Sequence, residues 1–263
     1  MKKELQIGLL AVASPLEIPY LKEWTTWHRS LGVSHIFLCL NDWSEADRVE
    51  FDKLFWKESA DGWLHVIVID GKNIQLTAYN QAMLIIKSFD LDWIAVIDLD
   101  EFIKVRSDRT LAQILADYEC FQSIGINWRM YGNNGHEVVK DKNFSVLTRF
   151  TRCGRTLNHH VKQIVHLSKF GGGVPFFINP HCLDKTSHNL EGHEFWGPFN
   201  EEALDKTHEL ELAHFVVKSK EECRIRRSFR RCDTGEVRGE GWENFFNENN
   251  INDIDEAELT YEN

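Results

Sequence analysis

The sequence lacks most of the signals that settle a function quickly. No stretch approaches the roughly 20 apolar residues of a membrane span. The opening run, Met1-Lys-Lys-Glu-Leu-Gln-Ile, has no signal-peptide core or cleavage site, so a cytoplasmic location is expected. The six cysteines, Cys39, Cys120, Cys153, Cys182, Cys223 and Cys232, include no CxxC pair, which argues against a zinc ribbon or a thioredoxin-type site. Cys39 sits within an apolar strand pattern and reads as a buried free thiol. Basic charge is in deficit: the formal net charge is −11, mostly from an acidic C-terminus, whereas a general nucleic-acid binder needs a basic surface. GxGxxG after the first strand and GxxxxGK[ST] are both missing, which removes the dinucleotide fingerprint and the P-loop. There is no internal repeat.

What is present is a large stock of core residues. With 263 residues, 43% of them hydrophobic, the chain suits one large α/β domain with an appended segment. Nine Trp and seventeen Phe support a large core, and sugar-binding clefts also use aromatics. Leu5 to Ala13 reads as a strand, broken by Ser14-Pro15. Glu17 to Leu31 reads as a helix with Tyr20, Trp24, Trp27 and Leu31 on one face, stopped by Gly32. Strands at His35–Leu40 and Leu64–Ile69 alternate with helices at Ala46–Lys57 and through Leu76, Tyr79, Met83 and Ile86. This alternation predicts a parallel sheet with crossover helices, its strand ends Ala13, Leu40, Asp70 and Asp98 on one edge.

The next stretch, Trp93-Ile-Ala-Val-Ile-Asp-Leu-Asp-Glu-Phe102, organises the rest. Ile94 to Ile97 reads as a strand buried on both faces. It runs into Asp98, Asp100 and Glu101. In an extended chain Asp98 and Asp100 point to the same side and repel unless a cation compensates them. Mg²⁺ or Mn²⁺ bridging carboxylate to substrate phosphate is one such cation; a strand-ending turn or helix cap is the plainer reading of the same residues.

Beyond Glu101 the pattern loosens. Thr110–Tyr118 reads as a short helix and Ser123–Met130 as a strand. The turn Tyr131-Gly132-Asn133-Asn134-Gly135-His136 reads either as a plain hairpin or as a source of backbone N–H groups for a ligand. Residues 151 to 200 read as mixed short strands and a long loop, with Thr186–Asn200 as a lid or acceptor loop. His214, in the apolar run Leu210–Val217, is either a core histidine or a further metal ligand. A basic helix follows through Arg224, Arg227 and Arg231; it faces phosphates, anionic lipid or the acidic tail. That tail, 236 to 263, is expected to be poorly ordered beyond about Asn249.

Five tracts in order resemble GT-A glycosyltransferases of the family 2 and family 92 type. They are Glu17-x-x-Tyr20-Leu21-x-Glu23-Trp24 with His28; Asn41-Asp42-x-Ser44; Asp98-Leu-Asp100-Glu101-Phe102; Trp128-Arg-Met-Tyr-Gly132-x-x-Gly135-His136; and Ala213-His214-Phe215 with Lys218-Ser219-x-Glu221-Glu222, Arg227 and Arg230. The chain departs from the family pattern at Ala213-His214-Phe215, at Asn133-Asn134 and at Arg227…Arg230-Arg231. The resemblance implies a single Rossmann-like GT-A domain over 1–235, with a mostly parallel central sheet flanked by helices and an acidic extension over 236–263. It implies a metal-dependent transferase moving a sugar, with inversion, from a UDP-sugar to a surface glycan or glycolipid acceptor. That is chemistry suited to polysaccharide or lipopolysaccharide synthesis. By position, Asp98, Asp100 and His214 would hold Mn²⁺ or Mg²⁺. Ala13, Glu17, Asp42, Tyr79, Asn80, Asp98 and Lys218 would border the donor. Glu191, Glu194 and His136 are the candidates for the catalytic base. Arg224 to Arg231 would supply a peripheral contact at the inner membrane. The competing readings are an Asp-x-Asp phosphohydrolase, whose motif normally carries Thr or Val where Phe102 stands, and an inactive sugar-binding module on the same scaffold.

Overall fold

The computed structural model describes residues 5–69, 71–140, 144–229, 237 and 239–261. Its first hundred residues alternate as the periodicity predicts. β1 (Ile7–Ala13) leads through a short 3-10 turn at Pro15–Glu17 into α1 (Ile18–Ser30). β2 (His35–Leu40), α2 (Glu45–Ala60), β3 (Leu64–Val68), α3 (Gln75–Ile86) and β4 (Trp93–Val96) follow. Ser44 and Asp47 cap the start of α2 reciprocally, which satisfies its first free N–H groups. β1 pairs in parallel with β2 and β4, and β2 with β3. Alternate residues of these strands feed two cores. Leu9, Ala11, Ile36, Leu38, Trp93 and Ala95 join Leu21, Trp24, Phe51 and Phe55 of α1 and α2. Leu10, Phe37, Cys39, Ile94 and Val96 join Ala78, Tyr79, Met83 and Ile86 of α3. A strand covered on both faces must be apolar at every position, which is why these runs are continuous rather than alternating. Cys39 is a buried free thiol, as its setting predicts.

The second half extends this sheet. It contributes β5 (Glu101–Val105), α4 (Leu111–Ala116), β6 (Ser123–Met130), α5 (Val146–Arg149), β7 (Arg152–Cys153) and β8 (Asn158–His166). It continues with β9 (Phe177–Asn179), β10 (Cys182–Leu183), β11 (Ser187–His188), β12 (Glu194–Phe195), β13 (Leu210–His214), α6 (Lys220–Ser228), α7 (Trp242–Asn249) and β14 (Ile254–Asp255). The strand order is β12-β11-β6-β8-β4-β1-β2-β3, with β13 pairing both β6 and β5. β8 runs antiparallel between β4 and β6.

Three expectations change here. Residues 151 to 200 hold short strands between loops as expected, but one strand, nine-residue β8, is long and sits in the middle of the sheet. The segment expected to be a lid is instead a β11–β12 hairpin added to β6. The acidic tail is tied to the body: β14 pairs with β7, and Glu256 lies 3.0 Å from Lys104 and 2.9 Å from Arg106. The boundary expected near residue 235 lies outside the described residues, as do Asp70, Arg230, Arg231 and Cys232. The turn 132–136 offers less to a ligand than its glycines implied. The N–H groups of Asn133 and Asn134 donate to the side-chain oxygens of Asn250 and Asn252, and that of Gly135 to Asn133. A Cβ at Gly132 would lie 2.3 Å from Asn252, so glycine there admits the tail.

Candidate active site

At the carboxyl ends of β1 and β4 lies a cavity of about 390 Å³ lined by Asp98 and Asp100. The two aspartates do not share a side because of an extended strand. β4 ends at Val96, and the Glu101 amide donates to the Asp98 carbonyl at 3.1 Å, so they sit on a turn. Helix α1 anchors the start of β5, directly after that turn. The Trp24 indole donates to the Glu101 carbonyl and the Trp27 indole to the Ile103 carbonyl, each at 2.8 Å. The Ile103 amide donates to Nε2 of buried His28 at 3.2 Å. The first resemblance tract is therefore scaffold for the acidic turn. His214 arrives by strand register: β13 sets it opposite Glu101, and the Phe215 amide donates to the Asp100 carbonyl at 2.8 Å.

The cations that compensate the carboxylates are built in. Asp98 accepts from Lys162 at 2.9 Å, Gln75 at 3.0 Å and the Tyr79 hydroxyl at 3.1 Å. Asp100 meets the Arg226 guanidinium, and His214 Nε2 stands 3.3 Å from the same oxygen. Burial alone would raise both carboxyl pKa values. Lys162 holds Asp98 below its ordinary value, and Arg226 with His214 holds Asp100 well below it. Glu101 goes the other way. Burial, with Asp98 and Asp100 adding to it, pushes its carboxyl well above the usual range.

All three expected metal ligands line the cavity; Asp100 and His214 meet each other there, while both oxygens of Asp98 already accept hydrogen bonds from Lys162, Gln75 and Tyr79. Among the described residues no three His, Cys, Asp or Glu side chains gather as a metal-holding group. Two ligands still fit a hard cation that completes its shell with phosphate oxygens. His214 Nδ1 is buried without a hydrogen-bond partner, while Nε2 faces an Asp100 oxygen at 3.3 Å and donates to it; a cation held between the two would take the Nε2 lone pair with the proton on Nδ1.

Of the expected donor-binding residues, Glu17 and Asp98 line the cavity. Ala13 is fully buried beside it, its carbonyl accepting from the Asn41 amide and the Trp43 indole. Tyr79 is buried and acts on Asp98. Asn80 is spent on the backbone of Phe177, through both its amide nitrogen and its oxygen. Asp42, exposed at φ +58°, is outside the cavity lining. Lys218 is buried with its amine 4.7 Å over the Tyr20 ring. None of the three expected bases lines the cavity. Glu191 lies 3.5 Å from His208 and 3.6 Å from Lys206, exposed Glu194 lies 3.7 Å from His188, and the His136 ring packs on Phe150.

Sequence reasoning missed Lys162, Gln75, Arg226, His160 and His181, all at or next to the acidic turn. A signal existed for Lys162: a lysine inside the apolar run Val161-Lys-Gln-Ile-Val165 is costly unless paired. Arg226 is aimed by its helix, whose start Ser219 and Glu222 cap reciprocally.

Low-identity structural likenesses include a crystal structure of HddC from Yersinia pseudotuberculosis, with TM-score 0.41 and 10% identity over 82% of this chain and 95% of that one. S. aureus TarS residues 1–349 gives TM-score 0.40 and 12% identity over 85% of this chain and 64% of that one. The galactosyltransferase LgtC, solved with donor and acceptor sugar analogues, gives TM-score 0.34 and 13% identity over 62% of this chain and 59% of that one. No curated protein sequence matches. The family model for glycosyltransferase family 92 matches residues 16–172, a span that holds β2, β3, β4, the acidic turn and Lys162. That span is more than half of the chain, and the chain belongs to glycosyltransferase family 92 and is a glycosyltransferase.

Proposed function

We propose that the chain moves a sugar from a UDP-sugar to a hydroxyl of a glycan or glycolipid acceptor in this cavity, with inversion at the anomeric carbon. The observation that carries the proposal is the meeting of Asp100, His214 and Arg226 on the cavity wall, with Arg227 beside them. Asp100 and His214 would hold Mn²⁺ or Mg²⁺, the remaining positions falling to diphosphate oxygens. When bound, the cation supplies Lewis-acid stabilisation to the departing diphosphate. Arg226 exchanges Asp100 for phosphate oxygens, which a guanidinium engages as a fork. Asp98, fixed by Lys162, Gln75 and Tyr79, is oriented for the ribose or the transferred sugar. Inversion requires a base for the acceptor proton. The cavity offers Glu17 and His160 for that role. A cytoplasmic enzyme touching the inner membrane through Arg224–Arg231 completes the reading; Arg224 is exposed, and no described helix is long and apolar enough to cross a membrane.

The test is UDP release from a panel of UDP-sugars with Mn²⁺, comparing wild type with Asp100→Asn. Release with one donor, reduced at least about tenfold in the variant, agrees with loss of a charged contact. Wild type that releases UDP from no donor contradicts the proposal.

A further inference from the structure

Beside the donor cavity the structure carries exposed aromatic surface with a rigid foundation. Phe199 is 44% exposed and Trp196, on the same loop, 68%. Small-molecule sites are lined mainly by apolar and aromatic side chains with a few placed polar groups. Phe199 is not loose. It forms a β-bridge with His160, the Val161 amide donates to the Pro198 carbonyl at 3.1 Å, and the Asn200 amide donates to the His159 carbonyl at 2.8 Å. Below it a buried asparagine pair locks the loop: Asn127 donates to the carbonyls of Asn158 and Asn200 at 3.0 Å, and Asn200 donates back to Asn127 at 2.9 Å. Burying such amides is tolerated only because each is hydrogen-bonded. The outcome is an exposed ring held in one place.

The rings form a continuous path into the cavity. Phe199 packs against both His159 and His160 at 4.7 Å. His160 stacks on Trp128 at 4.8 Å, and Trp128 lies 4.1 Å from His214. Trp128, His160 and His214 line the cavity. His160 Nδ1 lies 2.8 Å from the Asn158 side-chain oxygen, so it carries the proton and leaves Nε2 as an acceptor. Burial, and then the neighbouring His159, His214 and Lys162, lower the His160 pKa to about 4, so the ring is neutral at pH 7.

Resting on the glycosyl-transfer reading above, we infer that Phe199, His159 and His160 form the acceptor subsite, a platform for the apolar C–H face of a pyranose with His160 Nε2 accepting from one of its hydroxyls. A sugar ring presents C–H groups on its faces and hydroxyls around its edge. An aromatic face beside a neutral imidazole matches both. The path through Trp128 to His214 leads from this platform to the diphosphate end of the cavity.

The test is saturation-transfer NMR with methyl glycosides of glucose, galactose and N-acetylglucosamine, in the presence and absence of UDP. Wild type should transfer saturation to ring C–H protons of at least one glycoside. Phe199→Ala should reduce that transfer at least threefold, and His159→Ala less. UDP affinity, measured on the same samples by calorimetry, should stay within twofold, which also shows that the variants are folded. Unchanged transfer in Phe199→Ala overturns the inference, as does wild type that binds UDP but no glycoside. Glycoside binding without UDP binding would keep the platform and remove the donor reading, so the two failures are distinguishable.

Discussion

Strand β13 carries two charged clusters three residues apart, and they are built to opposite ends. Around Glu211 everything is sealed. Its carboxylate accepts from Arg129 at 2.8 Å and lies 3.2 Å from Arg106, with Arg129 and Glu211 side chains both 0% exposed. Arg129 spends further donors on the carbonyls of Gly154 and Arg155, and Glu211 accepts from the His208 amide. Around His214 the charges face the cavity, and the Arg226 side chain that meets Asp100 is 37% exposed. A cluster closed on itself holds the fold. A cluster with an accessible, exchangeable partner can hand its charges to a ligand.

The contrast is sharpest where one partner of the sealed cluster is removed. Glu211→Ala should cost about 3–5 kcal/mol, because it leaves the buried Arg129 charge without its carboxylate. Urea unfolding reads this, and a loss below about 1 kcal/mol would place Glu211 outside the supporting structure. Glu222 is intermediate: its carboxylate takes two hydrogen bonds from Arg149 at 2.8 Å and one from Tyr20 at 2.6 Å, yet it sits on α6 with Arg226. Burial would raise its pKa, but Arg149, Ser219 and Tyr20 lower it from 4.5 to about 2. A carboxylate depressed in the folded state stabilises above its unfolded pKa. The contribution, about 3 kcal/mol, is therefore full above roughly pH 4.5 and lost as the pH falls toward 2. The stability gap between wild type and Glu222→Gln, followed by urea titration from pH 7 downward, should close across that window. A gap independent of pH would assign Glu222 a packing role only. Arg226→Gln should cost less stability than Glu211→Ala, because the Arg226 side chain is 37% exposed although Asp100 is buried, while weakening UDP binding about tenfold. The reverse pattern would turn Arg226 into a structural residue.

The same division governs what the sequence reveals. β1, β2 and β4 are legible because strands covered on both faces leave unbroken apolar runs, Ile94 to Ile97 above all. β8 is not, although it is equally central, because its cavity end carries Asn158, His159, His160 and Lys162 and so resembles loop. The acidic tail reads as disordered from composition, yet Glu256 is matched by Lys104 on β5 and by Arg106 just beyond it, about 150 residues earlier, a pairing no local pattern can show. Asp100 and His214 are legible as a pair because each stands out against an apolar strand. The cations of the turn, Lys162 on Asp98 and Arg226 on Asp100, come from β8 and α6, and only the assembled sheet brings them there. Glu191 and Glu194 show the opposite error: acidic residues in a polar loop look catalytic, but the hairpin holds them at the sheet edge beside His208 and His188.

The central claim is that Asp100 and His214 present a cation and its diphosphate to the cavity. Titration calorimetry of UDP with and without Mn²⁺, on wild type and Asp100→Asn, tests it most directly. The account predicts that Mn²⁺ strengthens UDP binding to wild type and that Asp100→Asn removes this gain while the protein stays folded. UDP affinity that is the same with and without Mn²⁺, or a gain that survives in Asp100→Asn, would contradict it.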